Sequence, residues 1–311
     1  MASEDNYLKF INQRVEKSSS GPSMLVTLFG DLVSQHGNWI WLGSLITGLK
    51  PFGYSERLIR TSVFRLVKSD WLITKKVGRR TYYALSETAK AHHDKAARRI
   101  YSSEPSSLAD AWTVVIPIFV PDNVKETFKK QLQWLGFSPL TNGAYAHLEV
   151  DKQSLEDTLL ELGLKDAVIV LSCKVDGSHS KNVFKRLVKE YWGLETLEAS
   201  YKEFLDAYRP LIIKFNKGKM PSDETCFLLR ILLIHEYRRI LLKDKQLPED
   251  MLPNGWVGFE AHELVGKLYA QLAQASVNYA VENLENAQGH LPYVSAKFWQ
   301  RFLLNKLSVE P

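Results

Sequence analysis

The stretch that decides the fold is Ser55-Glu56-Arg57-Leu58-Ile59-Arg60-Thr61-Ser62-Val63-Phe64-Arg65-Leu66-Val67-Lys68. A serine ahead of such a run starts a helix, because its side-chain oxygen accepts from a backbone N–H that otherwise has no partner. At roughly 100° per residue, Arg57, Thr61, Arg65 and Lys68 share one face, and Ile59, Val63, Leu66 and Val67 share the opposite one. Such a helix buries one side in its own domain and offers cations and a hydroxyl to something outside. Arg60 falls on the flank, where Glu56, four residues earlier, is a natural ion-pair partner.

Downstream, Trp71-Leu72-Ile73-Thr74-Lys75-Lys76 and Thr81-Tyr82-Tyr83-Ala84-Leu85 have strand composition and flank Val77-Gly78-Arg79-Arg80. Gly78 suits a turn that needs positive φ, so the segment reads as a hairpin with a doubly basic tip. Upstream, Ser18-Ser19-Ser20-Gly21-Pro22-Ser23 reads as a flexible lead-in, Met24 opens a first helix, and Gly37-Asn38 turns the chain before Trp39-Ile40-Trp41-Leu42. A helix-rich segment, a basic helix and a basic hairpin, in that order, are the parts of a winged helix-turn-helix that grips DNA. The expected contacts to double-stranded DNA are Arg57, Arg60, Thr61, Arg65, Lys68, Arg79, Arg80 and Tyr82. Guanidinium forks at the tip would pair with phosphate oxygens or enter a narrowed minor groove.

Charge is concentrated at the same end of the chain. Residues 1–103 hold 16 Lys and Arg against 8 Asp and Glu, while the remainder holds 24 against 27. A basic head on a near-neutral body points to localised nucleic-acid binding and argues against general polyanion affinity. The 311 residues fit two or three domains, and 45% hydrophobic content supplies a proper core. Cys173 and Cys226 both sit in apolar runs, so buried thiols are expected, and with them a reducing cytoplasm. The first twenty residues lack an apolar signal core, and the most apolar run, 227–234, carries Arg230, so neither an export signal nor a membrane span is expected.

Past the hairpin, Ser86 caps a basic helix in which the adjacent His92 and His93 read as surface residues, and 102–107 reads as a linker. Then Trp112-Thr113-Val114-Val115-Ile116-Pro117-Ile118-Phe119-Val120 reads as a buried strand and 122–135 as an amphipathic helix. Short strands around Phe137 and Tyr145, a helix over 154–162 and a strand over 167–173 complete a βαββαβ order, the ferredoxin-like arrangement. From 178 onward the pattern is helical. The expected fold is therefore α+β: a winged helix-turn-helix with linker helix over 1–104, a ferredoxin-like, Cas2-like domain over 105–177, and a helical effector and dimerisation domain over 178–311.

Several of these segments carry a resemblance. Thr27-Leu28-Phe29-Gly30-Asp31, Trp41-Leu42-Gly43-Ser44-Leu45, Glu56 through Leu66 and Gly78-Arg79-Arg80-Thr81-Tyr82-Tyr83 resemble the phenylacetic acid degradation repressors, the PaaX family. So do Phe204 through Leu211, Leu232-Leu233-Ile234-His235-Glu236-Tyr237-Arg238-Arg239, Lys243-Asp244 and Leu247-Pro248-Glu249-Asp250-Met251-Leu252-Pro253. The resemblance spans nearly the whole chain. It implies a GntR-like winged-helix repressor, dimeric, that occupies operators of the aerobic phenylacetate catabolic genes and leaves them when phenylacetyl-CoA accumulates. An aryl-CoA effector asks for cations around its phosphates and an apolar or aromatic slot for its ring. Arg209, Arg238, Arg239 and Lys243 answer the first demand; Trp192, Tyr208, Tyr237 and Trp256 answer the second, with His235 beside them.

Enzymatic readings have weaker support. His235-Glu236-Tyr237-Arg238-Arg239 begins like a zinc-protease motif but places Arg239 where the second histidine must stand. No GxSxG, P-loop or GxGxxG motif occurs, so no metal and no cofactor are expected, only the effector. A Cas2-like nuclease would use Asp122 after the first strand of the central domain, yet Asp122 more simply caps a helix. A purely architectural DNA binder, indifferent to small molecules, is the remaining alternative.

Overall fold

The computed structural model of the chain describes residues 2–18, 20–102, 112–148, 152–245, 247 and 249–303. It is a mixed α and β protein in which long helices accompany small antiparallel sheets. Residues divide into two compact units, one from 1–105, 201–242 and 258–311 and the other from 106–200 and 243–257. The three consecutive domains expected from the sequence, 1–104, 105–177 and 178–311, give way to this division. The reason lies in the second long helix of the C-terminal region, which is buried on every side and therefore draws cover from the N-terminal helices.

The first unit begins with α1 (Ala2–Ser18), α2 (Gly21–Asp31), β1 (Ile40–Trp41), α3 (Leu42–Leu49), α4 (Glu56–Lys68), β2 (Leu72–Val77), β3 (Arg80–Leu85) and α5 (Glu87–Ile100). The N-terminal stretch read as polar is a helix: Tyr7, Ile11 and Val15, one per turn, are buried. Ser20 caps α2 by accepting from the Ser23 N–H, and Pro22 sits in the first turn, where a missing N–H costs nothing. β3 lies between β1 and β2, antiparallel to both. Gly78 takes φ +59°, which lets Val77 pair directly with Arg80 across a two-residue turn.

The second, C-terminal contribution to this unit comes from α9 (Leu194–Phe215, from Tyr201 onward), α10 (Asp223–Leu241) and α11 (Val257–Asn283), followed by the short hairpin β8 (Glu285–Asn286) and β9 (Gly289–His290). α10 is buried without interruption from Thr225 to Tyr237, and α1, α2 and α5 pack on it. At its centre lies a charged cluster. The Asp31 carboxylate accepts from Tyr101 and Tyr269 hydroxyls (2.8 Å each) and from Arg301 (2.9 Å), and lies 3.1 Å from Arg230 Nε. Arg230 is completely buried, with its guanidinium facing the Tyr269 and Phe298 rings. Close packing extends to His93, read from sequence as a surface residue: its ring lies against Gly30, where an added Cβ would meet Cδ2 at 2.5 Å. His92 is exposed and stacks on Trp71.

In the second unit, β4 (Trp112–Pro117), α6 (Asp122–Trp134), β5 (Ser138–Thr141), β6 (Ala144–His147), α7 (Lys152–Glu161) and β7 (Val168–Cys173) follow one another, with α8 (Gly177–Tyr191) after them. The sheet order is β5-β6-β4-β7 and every neighbouring pair is antiparallel. Val115, Phe128, Leu132, Phe137, Leu155 and Leu159 form the core of this unit. Trp112 packs instead with Phe184 and Trp192. Of the two cysteines expected to be buried, Cys226 is, and burial pushes its thiol up to about 12. Cys173 is exposed, because it ends the edge strand β7.

Candidate nucleic-acid interface

Ser55 takes an extended backbone and its hydroxyl accepts from the Leu58 N–H at 3.2 Å, which fixes where α4 starts. The inward side of α4 is Ile59, Ser62, Val63 and Leu66, all buried. Ser62 takes the place that Val67 was expected to share; Val67 is only half-buried. Arg57, Arg60, Thr61, Arg65 and Lys68 are all exposed on the outward side. Thr61 donates its hydroxyl to the Arg57 carbonyl at 2.8 Å, so its oxygen is left to accept. Arg60 pairs with Glu56 at 2.7 Å, the interaction that the four-residue spacing implied. One residue of this face had no part in the sequence reading: Phe64 is 67% exposed.

The hairpin separates its two arginines. Arg79 stands exposed in the turn. Arg80 is the first residue of β3; its guanidinium sits 4.1 Å from the Trp41 ring centroid and is paired with the Glu285 carboxylate, which strengthens its charged form. Lys75 and Lys76 on β2 are exposed and extend the basic surface beyond the residues singled out by sequence. Tyr82 corrects an expectation. It is 4% exposed, held between Trp41 and Lys75 in the sheet register, so its ring supports the sheet and reaches no ligand.

The nine residues proposed for an effector are divided between the two units. Trp192, Lys243 and Trp256 belong to one unit; Tyr208, Arg209, His235, Tyr237, Arg238 and Arg239 belong to the other. Trp192 donates its indole N–H to the Pro139 carbonyl at 3.0 Å and packs against Trp112, while Trp256 is buried and Lys243 exposed. Arg209 is exposed and its guanidinium is held by Glu260 at 2.6 Å.

The run from His235 to Arg238 binds helices together. Thr27 gives its hydroxyl hydrogen to the Ser23 carbonyl, so His235 Nδ1 must carry the proton that bridges the 3.0 Å to Thr27. Arg238 donates to the same hydroxyl oxygen at 3.3 Å. Burial, with Arg238 and Arg239 nearby, pushes the His235 imidazole down to about 3, so it remains neutral. Glu236 takes a two-pronged pair from Arg14 of α1, and buried Tyr208 lies against the same carboxylate, its hydroxyl pushed well above its ordinary value by desolvation. His262 Nε2 faces only an acceptor, the Ser102 carbonyl at 3.1 Å, so Nε2 carries the hydrogen and Nδ1 accepts from Tyr237 at 2.8 Å. These interior hydrogen bonds commit His235, Glu236, Tyr237 and Arg238 to neighbouring elements, while His235 Nε2 is buried with no hydrogen-bond partner among the described residues.

Asp122 is the first residue of α6, with Pro121 rather than Asp122 in the capping position. Its carboxylate is exposed and accepts from Lys125 at 2.6 Å, an ordinary first-turn ion pair. Among the described residues no group of three His, Cys, Asp or Glu side chains could hold a metal ion, and no helix is long and apolar enough to cross a membrane.

Residues 20–89 match the model of the PaaX-like protein family, and residues 192–282 match that of the PaaX-like protein C-terminal domain. The chain is 34% identical over 284 residues to the transcriptional repressor PaaX of Escherichia coli (strain K12), a match covering 91% of this chain and 90% of that protein.

Proposed function

Because the chain belongs to the PaaX family, we propose that it is a DNA-binding transcriptional repressor that docks α4 in the major groove of an operator. In this reading α3 and α4 are the two helices of a winged helix-turn-helix and β2–β3 is its wing, and the central βαββαβ unit is ferredoxin-like. The observation that carries the reading is the division of α4: Ile59, Ser62, Val63 and Leu66 inward, with Arg57, Arg60, Thr61, Arg65 and Lys68 outward. Arg57 and Arg65 are assigned to base edges, Lys68 and Arg79 to phosphates, and Lys75 and Lys76 to the same phosphate track. Arg60 and Arg80 reach DNA only by giving up Glu56 and Glu285.

The finer proposal is that the operators control phenylacetate catabolic genes, that the repressor acts as a homodimer, and that phenylacetyl-CoA releases it. Support for these points is the family resemblance, and the chemistry of the ligand then assigns its phosphates to exposed cations such as Arg209 and Arg239. Tyr208, His235 and Tyr237, being interior, would influence release only through packing.

The test is a footprint of the full-length chain on promoter DNA of phenylacetate catabolic genes, followed by titration with phenylacetyl-CoA, phenylacetate and coenzyme A. The expected result is a discrete footprint that phenylacetyl-CoA alone erases, with affinity lowered about fivefold to 150-fold, equivalent to about 1–3 kcal/mol of coupling. A footprint indifferent to all three compounds would make the protein an architectural binder. Magnesium-dependent cleavage of the probe would restore the nuclease reading through Asp122.

A further inference from the structure

We infer that Phe64 is a specificity-determining residue that reads the 5-methyl group of thymine; the inference rests on the proposed placement of α4 in the major groove. Phe64 is 67% exposed on a well-formed helix that buries Ile59, Val63 and Leu66 and leaves only Leu58, on its flank, as a second exposed large apolar side chain. At ~100° per residue it lies about 30° from the line opposite the buried side, closer to the middle of the outward face than Arg60 or Arg65. Its neighbours one turn away are Arg60 and Thr61 on one side, both exposed, and half-buried Val67 and exposed Lys68 on the other.

An exposed aromatic surrounded by cations is an odd arrangement for a solvated surface. It also suits a contact between two copies poorly, because a two-fold contact would bring Arg57, Arg60, Arg65 and Lys68 against the same four charges with only Glu56 to offset them. Duplex DNA removes both objections. Phosphates meet the cations on the rim, and the floor of the major groove presents one apolar group to a ring at the centre, the methyl of thymine. The arginines can then donate to guanine acceptors while Phe64 tells thymine from cytosine, a distinction no hydrogen-bond donor on this face makes through the methyl itself.

The experiment begins with duplexes selected by the full-length chain from a random pool. In the tightest of them each thymine is replaced in turn by deoxyuridine, which deletes the methyl and leaves the pairing edge unchanged. The parent is expected to lose about fivefold in affinity at one or two positions per half-site, and Phe64→Ala to be indifferent at those positions while binding weakly to both duplexes. Phe64→Leu should keep part of the sensitivity. Equal sensitivity in parent and Phe64→Ala, or none in the parent, overturns the inference while leaving α4 as the DNA-binding helix. Failure to select any sequence overturns the inference together with the reading of α4. Sedimentation of Phe64→Ala as a smaller species than the parent would assign the ring to a contact between copies and also overturn it.

Discussion

The outward face of α4 and the 235–239 run of α10 are built from the same residue types, arginine with histidine or an aromatic ring, and they do opposite things. On α4 the cations are exposed, and only Arg60 among the five outward residues is tied by an ion pair, to Glu56. On α10 the polar atoms are spent inside: Thr27 holds His235 and Arg238, Arg14 holds Glu236, and His262 holds Tyr237. The difference teaches that composition does not separate a binding surface from a polar seam in a core. Periodicity does: α4 buries one side only and carries its cations on the other, whereas α10 is buried around its circumference from Thr225 to Tyr237 and so must be wrapped.

On this contrast, the largest effect of any substitution belongs to the interior. Asp31→Ala would leave Arg230 and Arg301 without their shared carboxylate in a site closed to water, and should cost about 3–5 kcal/mol or more, a large share of a domain's stability. Urea unfolding of the full chain measures it; a loss below about 1 kcal/mol would mean that the cluster is not holding the unit together.

Acid should act next. His36, held near 4 by burial, and His235, held near 3, stay neutral in the folded chain, while in the unfolded chain they take up protons from about 6.5 downward. The unfolded state thus binds more protons below pH 6.5, and stability falls as pH drops toward 4, by about 2 kcal/mol per histidine at pH 5. His235→Gln should remove about half of that dependence. An unfolding midpoint that is flat between pH 7 and 5 contradicts the interior placement of both rings.

On the exposed side the expected changes are in binding, with the fold intact. Arg57→Ala and Arg65→Ala should each weaken operator binding by about 1–3 kcal/mol, and Lys68→Ala should mainly reduce the salt slope, whereas Arg238→Ala should leave DNA affinity unchanged. Gel shifts at two salt concentrations decide this, and unchanged affinity in the α4 variants would remove the interface. The smallest effect sharpens the picture at the wing: Glu285→Gln releases Arg80 for phosphate and should raise non-specific affinity at low salt by about threefold. No gain would mean that Arg80 already leaves Glu285 whenever DNA is present.

How much of this was legible in the sequence follows from the range of the interactions. α4 was readable because its cap, its amphipathic period and its Glu56–Arg60 spacing are all local. The turn at Gly78 was readable for the same reason. The helix α1 escaped because its buried side is one residue wide per turn, Tyr7, Ile11 and Val15, in an otherwise polar stretch. Tyr82 was misplaced because burial on β3 depends on pairing with β1, about forty residues earlier. The division into units hid in plain view: the unbroken apolar run around Arg230 signalled a wrapped helix, but its partner Asp31 lies nearly two hundred residues away. At 235–239 the burial of each side chain was not legible, since proximity in sequence says nothing about which way each one turns: His235, Glu236 and Tyr237 are buried, Arg238 is half-buried and Arg239 is exposed.

Asp31 also has a bearing on how the protein is made. It sits at the end of α2, yet the guanidinium that donates to its Oδ1 comes from Arg301, 270 residues later. At a synthesis rate of roughly 5–20 residues per second, the ribosome delivers that arginine about 14–54 s after the aspartate. Through that interval α2, on which α4 packs, lacks the α10 and Arg301 side chains that complete its surroundings. The end proposed to read DNA is therefore translated first and the unit that carries it completed last, and a message cut short after codon 80 but before codon 301 yields a chain with every DNA contact proposed for the head and without the arginine that closes the Asp31 cluster.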